Sequence, residues 1–220
     1  MSRTRARELA KDFIERGDPT GWFEAFYIEA NGDEGAIPWA NLTPNPEMVA
    51  WLEANVQAGK ARRALVVGCG LGDDAEAVAV RGFAVTSFDI SPQAIAWCKQ
   101  RFPNSNVNYV VADLLAPPSE WQNAFDLVIE INTLQVLPED LRRLAMKSLA
   151  EFLADDASLF IIARAREPEE DRGAMPWPLT KAELARFEAL GLAQIQFEEF
   201  FDDETPPVRR FRIHYRKQTT

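Results

Sequence analysis

Three glycines at alternate positions form the segment of this sequence best suited to chemistry. Gly68, Gly70 and Gly72 follow an apolar run at 64–67 and precede a helical pattern. Residues without side chains let a ligand approach the backbone closely, and the following helix offers unpaired N–H groups at its start. The spacing predicts a nucleotide-like ligand lying across this turn, at the carboxyl ends of the strands. Taken alone, the loop is equally compatible with a tight structural turn.

Two acidic residues give the glycine turn a context. Asp89 ends the second predicted strand, 17 residues beyond Gly72, where a carboxylate can accept hydrogen bonds from both hydroxyls of a ribose. Asp113 follows the third strand and would lie near the exocyclic amine of an adenine, the alternative being a plain turn cap. Together these carboxylates predict a nucleoside site.

The residues after the third glycine separate two classes of nucleotide. The dinucleotide fingerprint G-x-G-x-x-G requires a glycine at position 73, where this chain has Asp73 followed by Asp74. Acidic side chains there would oppose a pyrophosphate but would tolerate a ligand without phosphate. A phosphate-free nucleoside is therefore expected, and an NAD-linked oxidoreductase remains the alternative.

Charge and composition restrict the partners. The formal net charge of -10 repels phosphate backbones, so nucleic acid is not an expected partner. Two separated cysteines, Cys69 and Cys98, predict reduced thiols and no metal site. Cys69, between two glycines, is expected to be a small residue packed under the ligand. With no apolar run of membrane-spanning length and no signal-peptide core, the sequence predicts a cytoplasmic protein without membrane contact. A monomer or a homodimer is expected.

Alternating strand and helix patterns after residue 61 indicate how these side chains are positioned. Short apolar runs predict five strands, at 64–67, 84–88, 108–112, 125–130 and 158–163. The helical patterns between them imply right-handed parallel crossovers. Two further strands, at 192–201 and 208–217, are close enough to form an antiparallel hairpin. The predicted fold is α/β and Rossmann-like: a seven-stranded, mostly parallel sheet with helices on both faces.

Residues 1–60 are predicted to form a helical and aromatic lid, ahead of a single globular domain at 61–220. Helical periodicity over 1–16 stops at a glycine- and proline-containing break, and a further helix is expected at about 46–58. The aromatic residues Trp22, Tyr27 and Trp39 lie between them. Their ring faces are suited to stabilising a cation, and core packing is the alternative explanation.

The combined motifs resemble the class I S-adenosylmethionine (SAM)-dependent methyltransferases. The resemblance covers about residues 61–165 and rests on ALVVGCGLGDD, SFDIS, ADLL and FDLVIEINTLQVLP. It implies that SAM is the cofactor, with Gly68 and Gly70 flanking its methionine part and Asp89 holding its ribose. The implied adenine contacts are Ile90, Asp113 and Leu114, and the segment Glu130, Ile131 and Asn132 would line the pocket near the reactive methyl.

A narrower resemblance is to the thiopurine and thiol/halide methyltransferase group. Trp22 and Trp39 match aromatic positions ahead of the glycine loop in that group, and Asp74 matches an acid after the loop. Residues 173–177, ending at Trp177, resemble its glycine- and proline-rich substrate loop, whereas Ala40 departs from an acidic position. This resemblance implies a closing N-terminal segment and a soft acceptor.

The type of acceptor decides whether a general base is needed. A thiolate or halide needs little help, whereas an oxygen or nitrogen acceptor usually has to lose a proton. The single histidine, His214, lies in the last predicted strand and is expected to be structural, which leaves Glu130 as the candidate base. The sequence predicts methyl transfer from SAM to a small molecule such as a thiol, halide or other soft nucleophile. An N- or O-methyltransferase and a non-catalytic SAM-binding protein are the alternatives.

Overall fold

The computed structural model describes residues 1–56 and 62–219. The strands are β1 (Arg63–Val67), β2 (Ala84–Asp89), β3 (Asn108–Val111), β4 (Phe125–Ile131), β5 (Leu153–Arg164), β6 (Leu192–Phe201) and β7 (Arg209–Lys217). Their order in the sheet is β3-β2-β1-β4-β5-β7-β6. This confirms the predicted fold class, a seven-stranded and mostly parallel sheet that ends in an antiparallel hairpin.

Eight α-helices accompany the strands in the described part of the chain. They are α1 (Arg3–Glu15), α2 (Gly21–Ala30), α3 (Pro46–Asn55), α4 (Asp73–Val80), α5 (Pro92–Arg101), α6 (Glu139–Phe152), α7 (Lys181–Leu184) and α8 (Arg186–Ala189). None of the helices among these residues is both long and apolar enough to cross a membrane. The chain divides into two compact units, an N-terminal unit (Met1–Asp113) and a C-terminal unit (Leu114–Thr220).

In the N-terminal unit, three parallel strands bring the candidate ligand residues to one edge. β2 pairs with β1, from Arg63 opposite Ala84 to Val67 opposite Phe88, and also with β3. Residues 64–67 are all buried, as expected for a parallel strand covered on both faces. Because β1 and β2 run in the same direction, Gly68 and Asp89 follow at the same end of the sheet.

Local sequence fixes the starts of the helices near that edge. The Ser91 hydroxyl accepts from the backbone N–H of Ala94 (3.0 Å), and Pro92 occupies the first position of α5. Asn45 caps α3 in the same manner, with Pro46 following. Side-chain caps satisfy N–H groups that the helix itself leaves unpaired, and proline lacks one of those groups, so both helices begin at defined residues.

The C-terminal unit contains the antiparallel part of the sheet. β5 pairs in parallel with β4 and antiparallel with β7, which in turn pairs antiparallel with β6. The inner strands β4, β5 and β7 carry long buried apolar stretches, whereas β6 has only one buried residue, Leu192. The predicted C-terminal hairpin is therefore confirmed, with β6 as its outer strand.

Element boundaries differ from the sequence prediction in several places. β5 begins at Leu153, directly after α6, although its first residues include two exposed aspartates that do not show a strand pattern. The segment between β5 and β6 contains the two short helices α7 and α8, the first opened by a capping box of Thr180 and Glu183. The predicted helix at 46–58 ends at Asn55. Its last two predicted positions and the predicted boundary between residues 60 and 61 lie outside the described residues.

Candidate functional site

The glycine turn after β1 has a backbone that suits residues without side chains. Gly68, Gly70 and Gly72 have φ angles of 58°, 53° and 92°, in the left-handed region that other residues rarely adopt. A Cβ atom on Gly70 would stand 3.3 Å from the hydroxyl of Tyr27, and one on Gly72 would stand 2.7 Å from that of Tyr109. The turn therefore presents backbone alone, with tyrosine hydroxyls close to it.

Asp89 is hydrogen-bonded to this turn. The backbone N–H of Gly70 donates to Asp89 Oδ2 (3.0 Å), and that of Ser91 donates to Asp89 Oδ1 (3.0 Å). Burial raises the pKa of Asp89 to about 6, while these hydrogen bonds oppose the rise. The backbone N–H of Ile90 also donates to this carboxylate, whose two oxygens offer about four lone pairs, so one lone pair remains for a hydroxyl group. The geometry suits the predicted ribose contact.

Glu24, which the sequence reasoning missed, lies beside Asp89. Its Oε2 accepts from the Ser91 hydroxyl (2.5 Å) and from the backbone N–H of Gln93 (3.1 Å), which joins α2 to the first turn of α5. Its negative charge contributes to the raised pKa of Asp89. A carboxylate at a helix start is stabilised by the helix dipole. No sequence motif connects positions this far apart.

The two acids after the turn have protein partners. Asp73 forms a bidentate ion pair with Arg101, with N···O distances of 2.7 and 3.0 Å. Asp74 accepts from the backbone N–H of Asn45 (2.7 Å), and burial raises its pKa to about 6. Asp74 thus holds the start of α3, a structural role that its match to an acid after the glycine loop did not predict. Because Arg101 balances the charge of Asp73, this acid would repel a pyrophosphate less strongly than the sequence suggested.

The predicted aromatic residues come together in the N-terminal unit. Trp22 and Tyr27 are each 1% exposed, whereas Trp39 is 39% exposed. The Trp39 ring meets those of Trp22 and Tyr27 edge-on, with centroids 6.1 and 6.0 Å apart, and its Nε1–H donates to the Tyr27 hydroxyl (3.2 Å). Trp22 is thus a core residue, and Trp39 keeps an accessible face.

The remaining predicted cofactor residues lie around the same edge. Cys69 is half-buried, and its pKa is raised by a hydrogen bond with Cys98 and by burial, so the thiol stays neutral. Cys98 also donates to the backbone carbonyl of Gly70 (3.2 Å). The backbone N–H of Ala112, just before Asp113, donates to the carbonyl of Asp89 (3.1 Å), which brings the ends of β2 and β3 together. Ile90 is half-buried there.

In the C-terminal unit, Glu130 is completely buried near the end of β4. Its Oε1 accepts from the backbone N–H groups of Thr133 (2.6 Å) and Leu134 (2.9 Å). Among the described residues, no donor reaches its buried Oε2. Burial raises the pKa of Glu130 to about 7, against the opposing effects of these two hydrogen bonds and of the charge on Arg142.

Arg142 and Gln135, both missed by the sequence reasoning, fix the turn that follows Glu130. Arg142 is 1% exposed and donates to the carbonyls of Leu134 (2.9 Å) and Leu137 (3.1 Å). The side-chain Oε1 of Gln135 accepts a hydrogen bond from the backbone N–H of Arg164 (2.6 Å). The backbone carbonyl of Gln135 accepts one from the backbone N–H of Trp177 (2.7 Å). The turn is thereby tied to the end of β5 and to the predicted substrate loop.

The predicted acceptor residues of this unit lie at the same end of β4. Asn132 has a φ of 66°, and its Oδ1 accepts from Arg210 (2.9 Å). Arg210 in turn pairs with Asp202 (2.7 Å) and Glu204 (2.9 Å). The guanidinium of Arg172 lies 5.0 Å from the ring centroid of Trp177. Ile131 is half-buried as the last residue of β4, and Leu114 is buried at the start of the unit.

His214 is placed as a structural residue. It is 5% exposed and shares a hydrogen bond with the Ser158 hydroxyl (2.9 Å). Burial lowers its pKa to about 4, so it is neutral at physiological pH. Within residues 1–56 and 62–219, no group of three or more His, Cys, Asp or Glu side chains is placed to hold a metal ion.

Comparisons with known proteins place this fold and site in context. Residues 64–156 match a family model described as a methyltransferase domain. The ubiquinone biosynthesis O-methyltransferase of Azotobacter vinelandii is 38% identical over 98 residues, which cover 43% of this chain and 41% of that protein. The chain thus spans less than half the length of this curated relative.

Solved structures share the fold at lower identity. One, reported for the conversion of a disulfide bond into a thioacetal group in echinomycin biosynthesis, superposes with a TM-score of 0.74 at 23% identity, covering 90% of this chain and 91% of that one. Another is a Burkholderia thailandensis 1,6-didemethyltoxoflavin-N1-methyltransferase with bound S-adenosylhomocysteine (SAH), with a TM-score of 0.71 at 18% identity and coverages of 90% and 88%. The chain therefore carries, in residues 64–156, a match to the methyltransferase domain family on the Rossmann-like fold of solved methyltransferases.

Proposed function

We propose that this protein is a SAM-dependent methyltransferase that acts on a small molecule. The observation that carries the proposal is the glycine turn after β1, whose Gly70 N–H is bound by the buried carboxylate of Asp89. The family match over residues 64–156 supports the same assignment. A turn without side chains next to a carboxylate with a free lone pair suits a nucleoside with a ribose diol.

Several residues of the N-terminal unit support SAM as the proposed ligand. A Cβ atom at Gly70 would stand 3.3 Å from the Tyr27 hydroxyl, so the turn presents bare backbone beside that hydroxyl. Gly68 and Gly70 would hold the methionine part of SAM, Asp89 its ribose, and Ile90 and Asp113 its adenine. When bound, SAM supplies an electrophilic methyl group on a positively charged sulfur. The partly exposed ring of Trp39 offers that cation an electron-rich face.

The protein's main task in such a reaction is to align the acceptor and to exclude water. For that role we propose Trp39, whose partly exposed ring packs on the buried rings of Trp22 and Tyr27, and, as separate candidates in the C-terminal unit, Asn132 and Trp177. A solved neighbour is an N1-methyltransferase, and the curated relative is an O-methyltransferase. These names favour an oxygen or nitrogen acceptor. The thiopurine-like subgroup, the thiol or halide acceptor, the oligomeric state and the cytoplasmic location stay predictions.

Calorimetric titration with SAM, SAH and NADH tests the proposal. We expect SAM and SAH to bind and NADH not to bind. Replacing Asp89 by Asn should weaken SAH binding roughly 5- to 150-fold, about 1–3 kcal/mol, because an amide offers one acceptor oxygen in place of two. Glu53→Gln, which removes only a surface ion pair with Arg81, is the control and should bind SAH like the wild type. Binding of NADH, or no binding of SAH, would refute the proposal.

A further inference from the structure

We propose that Glu130 is the proton acceptor of the reaction, and that the acceptor substrate therefore carries an O–H or N–H group. This inference rests on the proposed function and deepens it. It replaces the thiol or halide acceptor that the sequence favoured with a protic oxygen or nitrogen nucleophile. The two oxygens of the Glu130 carboxylate have different surroundings.

The two oxygens of Glu130 are used unequally. Oε1 accepts two backbone hydrogen bonds, whereas the buried Oε2 has no donor among the described residues. Buried polar atoms in native proteins are nearly always hydrogen-bonded, and an orphaned one calls for an explanation such as a catalytic role. An oxygen without a protein partner keeps its lone pairs for a substrate proton, and because Oε2 is buried, the residues that cover it would have to move when the substrate binds.

Capping the following turn does not require a charged residue. The backbone N–H groups of Thr133 and Leu134 both donate to the same oxygen, Oε1. The amide oxygen of a glutamine at position 130 would accept both bonds without placing a charge in a completely buried position. Since burying a carboxylate is costly, the ionisable group has to serve something other than the turn.

Within the part of the chain that the structure describes, no cation forms an ion pair with Glu130. Arg142 is the charged group that acts on it, but the guanidinium of Arg142 is hydrogen-bonded to two backbone carbonyls and to Glu183. Burial dominates, and it raises the pKa of Glu130 to about 7. A base is most effective when its pKa lies near the operating pH, so this carboxylate is suited to general base catalysis at neutral pH.

The position of Glu130 in the fold agrees with this role. It is the penultimate residue of β4, at the carboxyl end of a parallel strand, where open α/β sheets bind their ligands. Asn132 follows within two residues, and the turn beyond it is joined to Trp177 through the carbonyl of Gln135. The orphaned oxygen thus belongs to the segment that carries the proposed acceptor residues.

The proposed step is a proton transfer. The acceptor's O–H or N–H bond breaks, its electron pair stays on the oxygen or nitrogen, and the proton forms a new O–H bond with Oε2. Glu130 becomes a neutral carboxylic acid, and it returns the proton to solvent after the product leaves. No redox partner is needed.

The kinetic test compares the wild type with Glu130→Gln, using SAM and four acceptor probes: 3,4-dihydroxybenzoate, benzylamine, dithiothreitol and iodide. We expect the wild type to methylate the phenol or the amine, with a kcat that falls below about pH 7. Glu130→Gln should lower that kcat by about 100-fold or more and abolish the acidic limb, with KM for SAM unchanged. Glu139→Gln, an exposed carboxylate of the same unit, is the matched control.

A direct measurement is independent of turnover. In SAH-bound protein with ¹³C-labelled glutamate, we expect one side-chain carboxyl signal to titrate near pH 7 and to be missing in Glu130→Gln. SAH binding and thermal melting of Glu130→Gln show whether the variant folds. If the wild type itself does not bind SAH, the proposed function fails, and not only the role of Glu130. Three results overturn the inference: wild-type kcat in Glu130→Gln, methylation of dithiothreitol and iodide only or of no probe, or a Glu130 carboxyl that titrates near its ordinary value.

Discussion

At the scale of single residues, three carboxylates whose pKa values are raised by burial have three different tasks. Asp89 binds the glycine turn, Asp74 binds the backbone N–H of Asn45, and Glu130 caps a turn with one oxygen only. Burial raises each pKa in the same way, so the pKa values alone do not distinguish them. The hydrogen-bond partners of each oxygen separate the proposed ligand contact of Asp89, the structural tie of Asp74 and the proposed proton acceptor, Glu130.

A substitution at Gly70 tests the turn itself. Gly70→Ala places a side chain at a φ of 53° and only 3.3 Å from the Tyr27 hydroxyl. We expect it to reduce the free energy of unfolding by about 1–2 kcal/mol, the usual cost of a left-handed backbone for a residue with a Cβ. SAH binding should weaken as well.

Thermal melting and calorimetry measure both effects. Tyr27→Phe in the Gly70→Ala background removes the crowded oxygen but not the backbone strain, so it should recover part of the lost binding. If Gly70→Ala matched the wild type in stability and in SAH affinity, the close approach at this turn would have no functional meaning.

The sequence predicted the residues whose role depends on spacing along the chain. The glycines and Asp89 follow buried strands, and strand ends meet at one edge of a parallel sheet. Asp74, Glu24 and Arg142 could not be assigned in this way, because their partners lie in segments without a recognisable motif. A carboxylate's partner is set by tertiary packing, which a single sequence does not display.

At the scale of elements, Arg101 at the end of α5 connects three segments of the N-terminal unit. It forms the bidentate pair with Asp73 at the start of α4, donates to the carbonyl of Leu71 in the glycine turn, and pairs with Glu34 (3.2 Å). Its side chain is 15% exposed, so solvent screens these contacts only in part. The turn is therefore held from α5 as well as from Asp89.

Removing this connection should loosen the turn without removing any proposed ligand contact. We expect Arg101→Gln to weaken SAH binding by about 10-fold, the effect of losing about 1.4 kcal/mol of support from charge-assisted hydrogen bonds. Asp73→Asn should weaken it less, because Arg101 would keep its bond to Leu71.

A double-mutant cycle measured by calorimetry separates this pair from a general loss of charge. The combined variant should bind SAH no more weakly than Arg101→Gln alone, because the first change already removes the partner of Asp73. Lys99→Gln, an exposed cation on the same helix, is the control. Strict additivity of the two changes would show that the ion pair does not support the turn.

The order and type of the elements were predictable, but some boundaries were not. β1, β2 and β6 followed apolar or alternating patterns closely. The start of β5 carries Asp155 and Asp156, which are exposed and read as a loop, yet backbone pairing extends the strand to Leu153. Backbone hydrogen bonds depend on the neighbouring strand, and local side-chain pattern does not report them.

At the scale of the whole molecule, buried ionisable groups make stability depend on pH. A carboxylate whose pKa is higher in the folded than in the unfolded state binds more protons when folded. The folded state therefore loses stability as the pH rises from the ordinary value toward the raised one. Asp74, Asp89 and Glu130 all act in this direction. His214 opposes them, because its lowered pKa makes the folded state gain stability as the pH rises from about 4 to 6.5.

Because these effects overlap, the difference between two proteins is more informative than one stability curve. Glu130→Gln removes a group whose pKa rises from 4.5 to about 7 on folding. Relative to this variant, the wild type should lose up to about 3 kcal/mol of unfolding free energy between pH 4.5 and 7.5, by the linkage between pKa and stability. Urea unfolding of both proteins across that range gives the difference directly, with Glu139→Gln as an exposed control that should not reproduce it. If the unfolding free energies of the wild type and Glu130→Gln changed equally with pH, Glu130 would have the same pKa in the folded and unfolded chains. Its burial would then not destabilise the folded protein, and the energetic reason for assigning it a catalytic role would be lost.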